Sequence, residues 1–328
     1  MAGLVLLAIC LTGQVAGAAA LEKVTFMPQW LPQAQFVGYY VAQEKGIYRR
    51  HGLEVKILRG GPDRGGTDAM QNAKADFGTM FLATGIKKRA QGLKIVNIAQ
   101  TGQRSAFLLV AKKNHGIHTP LDLMGKKVSL WDGDFQIQPR LFFQKYNLAV
   151  TVVPQSATLN LFLRDGVHAA SAMRYNEYHL LLNAGVDPEE LTVFAMADHG
   201  LDFPEDGIYC REETWRRHPE RCRKFVAASL EGWREAFAHP EEALNIVMKY
   251  IMAAGVKTNR VHQKWMLEHM QKVIEPPKSG VSMGFLAPGD YERVAQALLS
   301  EQVIKIAPDY AAFYRDVLNH VEKRQSRR

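Results

Sequence analysis

Three short segments place aromatic and acidic side chains where strands hand over to helices. In Met27-Pro28-Gln29-Trp30-Leu31-Pro32 a tryptophan stands between two prolines, just after the β-prone run at 23–26. Pro28 and Pro32 keep the segment out of regular pairing, so Trp30 is expected on an exposed rim, where its ring can stack on a flat ligand. The plainer reading, an aromatic filling the edge of a layer, stays open. In Trp131-Asp132-Gly133-Asp134-Phe135 a similar hand-over carries two acids. Free amides at such a helix start suit a carbonyl or anionic group. A turn capped by Asp134, or a helix opened by Pro139, explains the residues equally well. In Tyr175-Asn176-Glu177-Tyr178, Glu177 has the chemistry to accept from an N–H-rich ring such as an aminopyrimidine, and Tyr175 to stack opposite Trp30. Against this, Asn176 as a cap and Glu177 facing the helix dipole account for the same residues.

Other chemistry finds little support. The chain contains no G-x-S-x-G, P-loop or G-x-G-x-x-G motif. His115 and His118 share a loop with no nearby cysteine or acid pair, which argues against a zinc site. The net charge is +8, and a basic balance can serve nucleic acid. Outside the clusters at 216–224 and 323–328 the charges are scattered, and no nucleic-acid-binding motif accompanies them, so nucleic acid is not expected as a partner. No metal, cofactor or catalytic residue is expected.

The elements that must position these segments follow from periodicity. Phe36, Val37, Tyr40 and Val41 fall on one helical face, with Gly46 placed to stop the helix. Leu53, Val55 and Ile57 alternate with charged residues like a half-buried strand. Trp30 then lies at the carboxyl end of the first strand, where open α/β sheets bind ligands. Strands are expected at 76–81, 94–99 and 106–111, with helices at 67–75 (capped by Thr67) and 84–91. A second series has strands at 127–131, 150–153, 169–173 and 191–195, and helices at 121–124, 139–146, 159–165 and 177–184. A strand at 207–210 returns to the first series. Beyond it the chain reads as helix at 212–217, 219–238, 240–252, 259–273, 288–300 and 308–323. Such alternation predicts the α/β class with mainly parallel sheets. The expected fold is a bilobal periplasmic-binding-protein fold of type II, two α/β lobes with a hinge and a helical C-terminal part. Lobe I spans 21–108 and 201–328, lobe II 109–200. Tyr39, Phe81 and Thr84 are placed at loop positions facing the cleft.

Residues 1–20 combine an apolar run at 4–11 with small residues at 16–20, which reads as a secretory signal peptide too short to span a membrane. No Lys or Arg precedes the run, a departure from the usual pattern. The protein is therefore expected in the periplasm. Ile9 before Cys10 speaks against lipid anchoring. Cys210 and Cys222 then remain, either bridged or free.

The pattern W-x-P-x-x-x-F-x-G-Y-Y-V-A-x-E-K-G-x-Y-x-x-x-G-L-x-V, here residues 30–55, resembles the thiamine-pyrimidine-synthase-like family of solute-binding proteins. The likeness runs from about residue 23 to 240. It implies the bilobal fold and service to an ABC importer, with formylaminopyrimidine, another thiamine precursor or riboflavin as solute. It also implies a Gly-containing, cleft-lining loop at 131–135. The phosphate-binding form of that loop has fewer acids, so Asp132 and Asp134 speak against a phosphorylated ligand. Pro204-Glu205-Asp206-Gly207 resembles a family segment at the return between lobes, which adds Asp206 as a polar candidate. Eukaryotic members make the thiamine pyrimidine from their own histidine and pyridoxal phosphate, using a Lys and a His four residues apart and a cysteine cluster. The matching positions here are Met80 and Thr84, and the stretch 203–210 holds one cysteine, so enzyme activity is not expected.

The sequence thus predicts an exported, monomeric binding protein that delivers a small planar heterocycle to an ABC permease and its ATPase. Trp30, Tyr39, Phe81, Thr84, Trp131, Asp132, Asp134, Phe135, Tyr175, Glu177 and Asp206 are its expected ligand-binding residues. The alternatives are riboflavin, a sulfonate or nitrate-like anion (disfavoured by the acidic loop), a sensory module for a membrane receptor, and the pyrimidine synthase.

Overall fold

The computed structural model describes residues 20–62, 64–275 and 282–319. The expected signal peptide and Cys10 lie outside them. Its strands are β1 (Glu22–Met27), β2 (Leu53–Ile57), β3 (Phe77–Phe81), β4 (Ile95–Gln100), β5 (Phe107–Lys112), β6 (Lys127–Leu130), β7 (Thr151–Pro154), β8 (Ala169–Met173), β9 (Leu191–Ala195) and β10 (Asp206–Arg211). They build two five-stranded sheets, ordered β2-β1-β3-β10-β4 and β7-β6-β8-β5-β9. β1 runs parallel to β2 and β3, while β10 is antiparallel to β3 and β4. In the second sheet β6 is parallel to β7 and β8, and β5 is antiparallel to β8 and β9. Each sheet thus receives one antiparallel strand from a crossing chain. This is the bilobal α/β architecture of type II.

Burial explains the strand choice. β3 and β8 are buried along their whole length, as central strands covered on both faces must be; β4, at the sheet's edge, is buried too because the chain at Gly284 and Tyr314 bridges to its Gln100 and Asn97. β2 stands at an edge and alternates buried Leu53 and Val55 with exposed Glu54 and Lys56. The C-terminal helices Pro219–Ala238, Pro240–Ala253 and Pro288–Ser300 each start on a proline, whose missing N–H costs nothing in the first turn. The helix Val37–Glu44 crosses Pro219–Ala238 at backbone distance: a Cβ on Gly232 would stand 2.2 Å from the Gly38 carbonyl.

Three local expectations are corrected. The helix after β2 is Gly66–Gln71, so Thr67 lies inside it and the cap position belongs to Gly65. The helix after β6 is Ile137–Lys145, preceded by a 3-10 turn at Gly133–Gln136, and neither Asp134 nor Pro139 opens it. Of the helix expected at 308–323, residues 320–323 lie outside the described residues, and among those described it is the single turn Tyr310–Phe313, because Tyr314 leaves it to pair beside Asn97 of β4. Cys210 and Cys222 are buried free thiols with sulfurs 3.9 Å apart. Among the described residues no helix is long and apolar enough to cross a membrane.

Candidate ligand-binding seam between the lobes

Two chain segments cross between the sheets, 101–106 from β4 to β5 and 196–205 from β9 to β10. They lie side by side and are bonded to each other. The Gly102 N–H donates to the Asp206 carbonyl at 2.7 Å, and the Ser105 N–H to the Asp202 carboxylate at 2.8 Å. The Thr101 hydroxyl donates to the Asp206 carbonyl at 2.6 Å, and the Gln100 amide to the Glu205 carbonyl at 2.9 Å. The Ala106 N–H closes on a Glu205 carboxyl oxygen. Glu205 and Asp206 therefore sit where the crossing chains meet the first sheet.

The first lobe's wall is made by the loop after β1. Gly60 lets that loop fold close, since a Cβ there would stand 2.0 Å from the Pro28 carbonyl and 2.7 Å from that of Trp30. Trp30 is half-buried against the core's edge. The Gln29 N–H donates to Thr79 on β3 at 3.0 Å, and the Gln29 amide donates to Asp206. The buried Gln35 amide donates to the other Asp206 oxygen at 2.8 Å. Phe81, at the carboxyl end of β3, is 8% exposed.

The second lobe answers with the ends of β6 and β8. Phe135 meets Phe81 edge-on across the seam, centroids 5.4 Å apart, and packs on Trp131, which in turn packs on Phe107. Asp134 accepts from Lys87 of the helix Leu82–Ala90 at 2.6 Å, an ion pair between the lobes. On the opposite flank the Trp265 indole N–H donates to the Arg174 carbonyl at 2.9 Å. There Asn176 uses its amide N–H on Glu177, so its carbonyl oxygen accepts from His262 Nε2–H at 2.9 Å. His262 Nδ1 is left to accept from His179 Nδ1–H, also at 2.9 Å. The lobes are thus in contact on both sides, and the seam between them is closed.

Inside the seam Tyr175 is 2% exposed. Burial first, then the negative fields of Glu205, Asp206 and Glu177, push its hydroxyl well above the ordinary range. Glu177 turns back on its own strand, accepting from the Met173 N–H at 2.9 Å and from the Asn176 amide at 2.8 Å. Desolvation nevertheless raises its carboxyl to about 7. Asp206 is likewise raised to about 7 by burial, opposed by the Gln35 amide. Glu205 is pushed well above the carboxylate range by the same loss of water. No Lys or Arg pairs with any of these three carboxyls among the described residues. Taking ions out of water without counter-ions is costly, which is why all three carboxyls are shifted toward their neutral forms.

The chain matches the family described as NMT1/THI5 like over residues 33–243, more than half its length. It belongs to that family. It is 28% identical over 247 residues to the riboflavin-binding protein RibY of Chloroflexus aurantiacus, covering 71% of this chain and 68% of that protein. It is 24% identical to the formylaminopyrimidine-binding protein of Halalkalibacterium halodurans over 74% of each chain. It is also 23% identical to the 4-amino-5-hydroxymethyl-2-methylpyrimidine phosphate synthase THI11 of Saccharomyces cerevisiae, over 68% of this chain and 69% of that one. Among solved structures, the periplasmic aliphatic sulphonate binding protein SsuA of Escherichia coli superposes with a TM-score of 0.68 at 12% identity, covering 89% of this chain and 97% of that one. At that identity the likeness speaks for the fold.

The structure distributes the sequence-derived residues unevenly. Phe81 ends β3 and Asp206 opens β10, while Trp30, Trp131 and Tyr175 follow the carboxyl ends of β1, β6 and β8; Phe135 lies in the 3-10 turn after β6 and Glu177 opens the helix Glu177–Asn183. Asp134 is an ion-pair partner of Lys87, not a helix cap. Asn176 does not cap its helix either, being committed to His262 and Glu177. Asp132 is exposed and caps nothing. Tyr39, Phe81 and Thr84 are not on loops: Tyr39 lies in Val37–Glu44, Phe81 ends β3, and Thr84 lies in Leu82–Ala90. The Tyr39 ring is core, 4.6 Å from that of Phe26 and 5.8 Å from that of Trp233. The sequence reading missed Gln29, Gln35 and Glu205. The run of glutamines at 29, 33 and 35 was the visible signal for the first two, and adjacency to Asp206 for the third.

Proposed function

We propose that this chain is the solute-binding component of an ABC importer and that it holds a small planar nitrogen heterocycle, of the thiamine-pyrimidine-precursor kind, in the seam between its lobes. The observation that carries the reading is the buried carboxyls of Glu205 and Asp206 and the half-buried Glu177, gathered beside aromatic rings with no Lys or Arg paired to them among the described residues. Aromatic faces supply most of the affinity of such a site and a few polar groups its selectivity. Trp30 and Tyr175 are the flat walls, and Glu177, Asp206 and the 132–135 loop are the polar readers. Relatives named for riboflavin and for formylaminopyrimidine support a flat, nitrogen-rich solute. The acid-rich seam disfavours a sulfonate or nitrate, although the fold resembles a sulphonate-binding protein.

In this reading lobe I comprises residues 21–108 and 201–328 and lobe II residues 109–200. The protein acts as an exported monomer, led by the signal segment 1–20, in the periplasm, and its partner is a permease with its ATPase. It carries no catalytic machinery: buried Met80 and part-buried Thr84 occupy the positions where the synthase-type relatives are expected to carry lysine and histidine. A thermal-shift screen of the mature protein against thiamine precursors, riboflavin, sulfonates, nitrate and pyridoxal phosphate tests the reading. A ligand selective for the folded state raises the melting temperature, and the expected responders are the aminopyrimidines. A response confined to sulfonates or nitrate refutes the choice of solute.

A further inference from the structure

On one flank of the seam two histidines from different lobes meet ring to ring. His179 stands in the helix Glu177–Asn183 of the second lobe, His262 in the helix Arg260–Ile274 of the first. Both are buried, their rings lie 5.2 Å apart at 11°, and their Nδ1 atoms are 2.9 Å apart. The His262 backbone is anchored in the first lobe. Its N–H donates to the cap residue Asn259 at 2.9 Å, and the neighbouring Gln263 side chain accepts from the Ala34 N–H at 2.7 Å. Its ring reaches across instead, through Nδ1 to His179 and through Nε2–H to the Asn176 carbonyl. Trp265 reinforces the crossing, with its ring stacked on His179 at 4.6 Å and its indole N–H on the Arg174 carbonyl.

An Nδ1-to-Nδ1 hydrogen bond needs a proton on one nitrogen and a lone pair on the other. Nε2–H of His262 is committed to Asn176, so acid adds the ring's next proton at Nδ1, facing the N–H of His179. The bond then becomes two opposed donors. A stacked indole face favours a cationic His179, so His262 is the ring at which the contact fails. From the second lobe the pair is approached by the Asn183 amide and, through Asn176, by Glu177, while Arg174 lies over Tyr178. From the first, Arg260 and Lys264 are paired with Glu241, and His269, near Lys272 and Glu268, stacks on Trp265. Burial, then His179, holds the His262 ring down at about 4, and burial lowers His179.

We propose that the His179–His262 contact is an acid-released latch between the lobes: neutral His262 holds the seam closed, and its protonation lets the seam open. The latch goes beyond the solute reading and does not depend on which solute the seam takes. A ring at about 4 when latched and at 6.5 when released moves the closed-to-open ratio toward open by about tenfold at pH 5 and about a hundredfold at pH 4. Glu177, Glu205 and Asp206 pull the other way, because acid neutralises them and eases their burial. Histidine variants separate the two effects.

The test is the distance between the lobes in solute-free protein at pH 7, 5 and 4, read by pulsed electron paramagnetic resonance. Spin labels go on Lys56→Cys in β2 and Glu189→Cys ahead of β9, both exposed positions, while the native thiols are buried. Circular dichroism at each pH checks that the protein stays folded. The distance distribution is expected to move to longer values as pH falls and to return at pH 7. His262→Gln keeps an amide donor for Asn176 and takes up no proton, so its distribution should be the same at every pH at which it is folded. His269→Gln, stacked on Trp265 but outside the Nδ1 contact, should keep the full response. A distribution that does not move in folded protein between pH 7 and the lowest pH at which the fold persists overturns the latch. So does a shift that His262→Gln retains in full, or one that His269→Gln abolishes. Each of these outcomes leaves the solute reading, tested by the thermal-shift screen, where it stood.

Discussion

Asp206 offers a quantitative check on the electrostatics of the seam. Burial holds its carboxyl near about 7, against an ordinary value of 3.8. A group whose folded value is raised contributes stability that is full below its unfolded value and is lost as pH rises through the folded value. Between pH 5 and pH 7 the unfolded chain carries the charge and the folded chain resists it, at about 1.4 kcal/mol per unit, which gives a ceiling of about 3 kcal/mol. That value already includes the opposing Gln35 amide; the Gln29 amide also donates to this carboxyl and favours its charged form, so we expect about 1–2 kcal/mol. Asp206→Asn cannot ionise. Its absolute stability will differ because one of its two amide donors loses an acceptor, so the informative quantity is the change in stability from pH 5 to pH 8. Urea unfolding at both pH values should show wild type losing about 1–2 kcal/mol more than the variant over that interval. His262 acts with the opposite sign but is common to both proteins and cancels. Parallel curves for the two proteins would refute the reasoning.

Further outcomes follow from other contacts. Trp30→Ala should weaken binding of an aminopyrimidine by about 1–3 kcal/mol, the scale of base–aromatic stacking; an unchanged dissociation constant by calorimetry removes Trp30 from the site. Gly232→Ala drives a methyl into the Gly38 carbonyl, and overpacking of this kind costs about 1–3 kcal/mol, read as a lower urea midpoint without a change in slope. The His262 ring is held at about 4 by burial and by its neighbour His179, below the ordinary 6.5. Its neutral form therefore stabilises the fold above pH 6.5, and that contribution is lost as pH falls toward 4. His262→Gln should flatten the acid side of the stability profile, and an unaltered acid limb would contradict the assignment.

Much of the fold was legible because local signals agreed with tertiary demands. β8 and β9 are short apolar runs ended by turns, and they emerge at the expected residues. The helices at 212–217, 219–238 and 288–300 also do, the last two because proline fixes the first turn. The misses mark places where a distant partner decides. Pro308 and Asp309 announce a helix correctly, but Tyr314 is drawn out of it by Asn97, more than two hundred residues earlier. Of the site, the strand ends were readable and the pairings were not. Asp134 looked like a helix cap because its partner Lys87 lies 47 residues away, and Asp206 gave no hint of Gln29, 177 residues away. Glu205 stands beside Asp206 in the sequence, but only the pairing of the two crossing segments shows that its carboxyl accepts from Ala106, 99 residues away.

The closed seam also has an energetic logic that neither lobe contains by itself. Closing gains the Lys87–Asp134 pair, part-exposed at 25% and 17% and so worth at most about 1 kcal/mol. It gains the Phe81–Phe135 edge contact, about 0.5–1.5 kcal/mol beyond area, and the bonds from Trp265 and His262, about 1 kcal/mol each. Against these stands the loss of water around the carboxyls of Glu177, Glu205 and Asp206, which opposes closure. A solute that touches both lobes at once makes its full set of contacts only in the closed form, and it is such differential affinity that shifts a population.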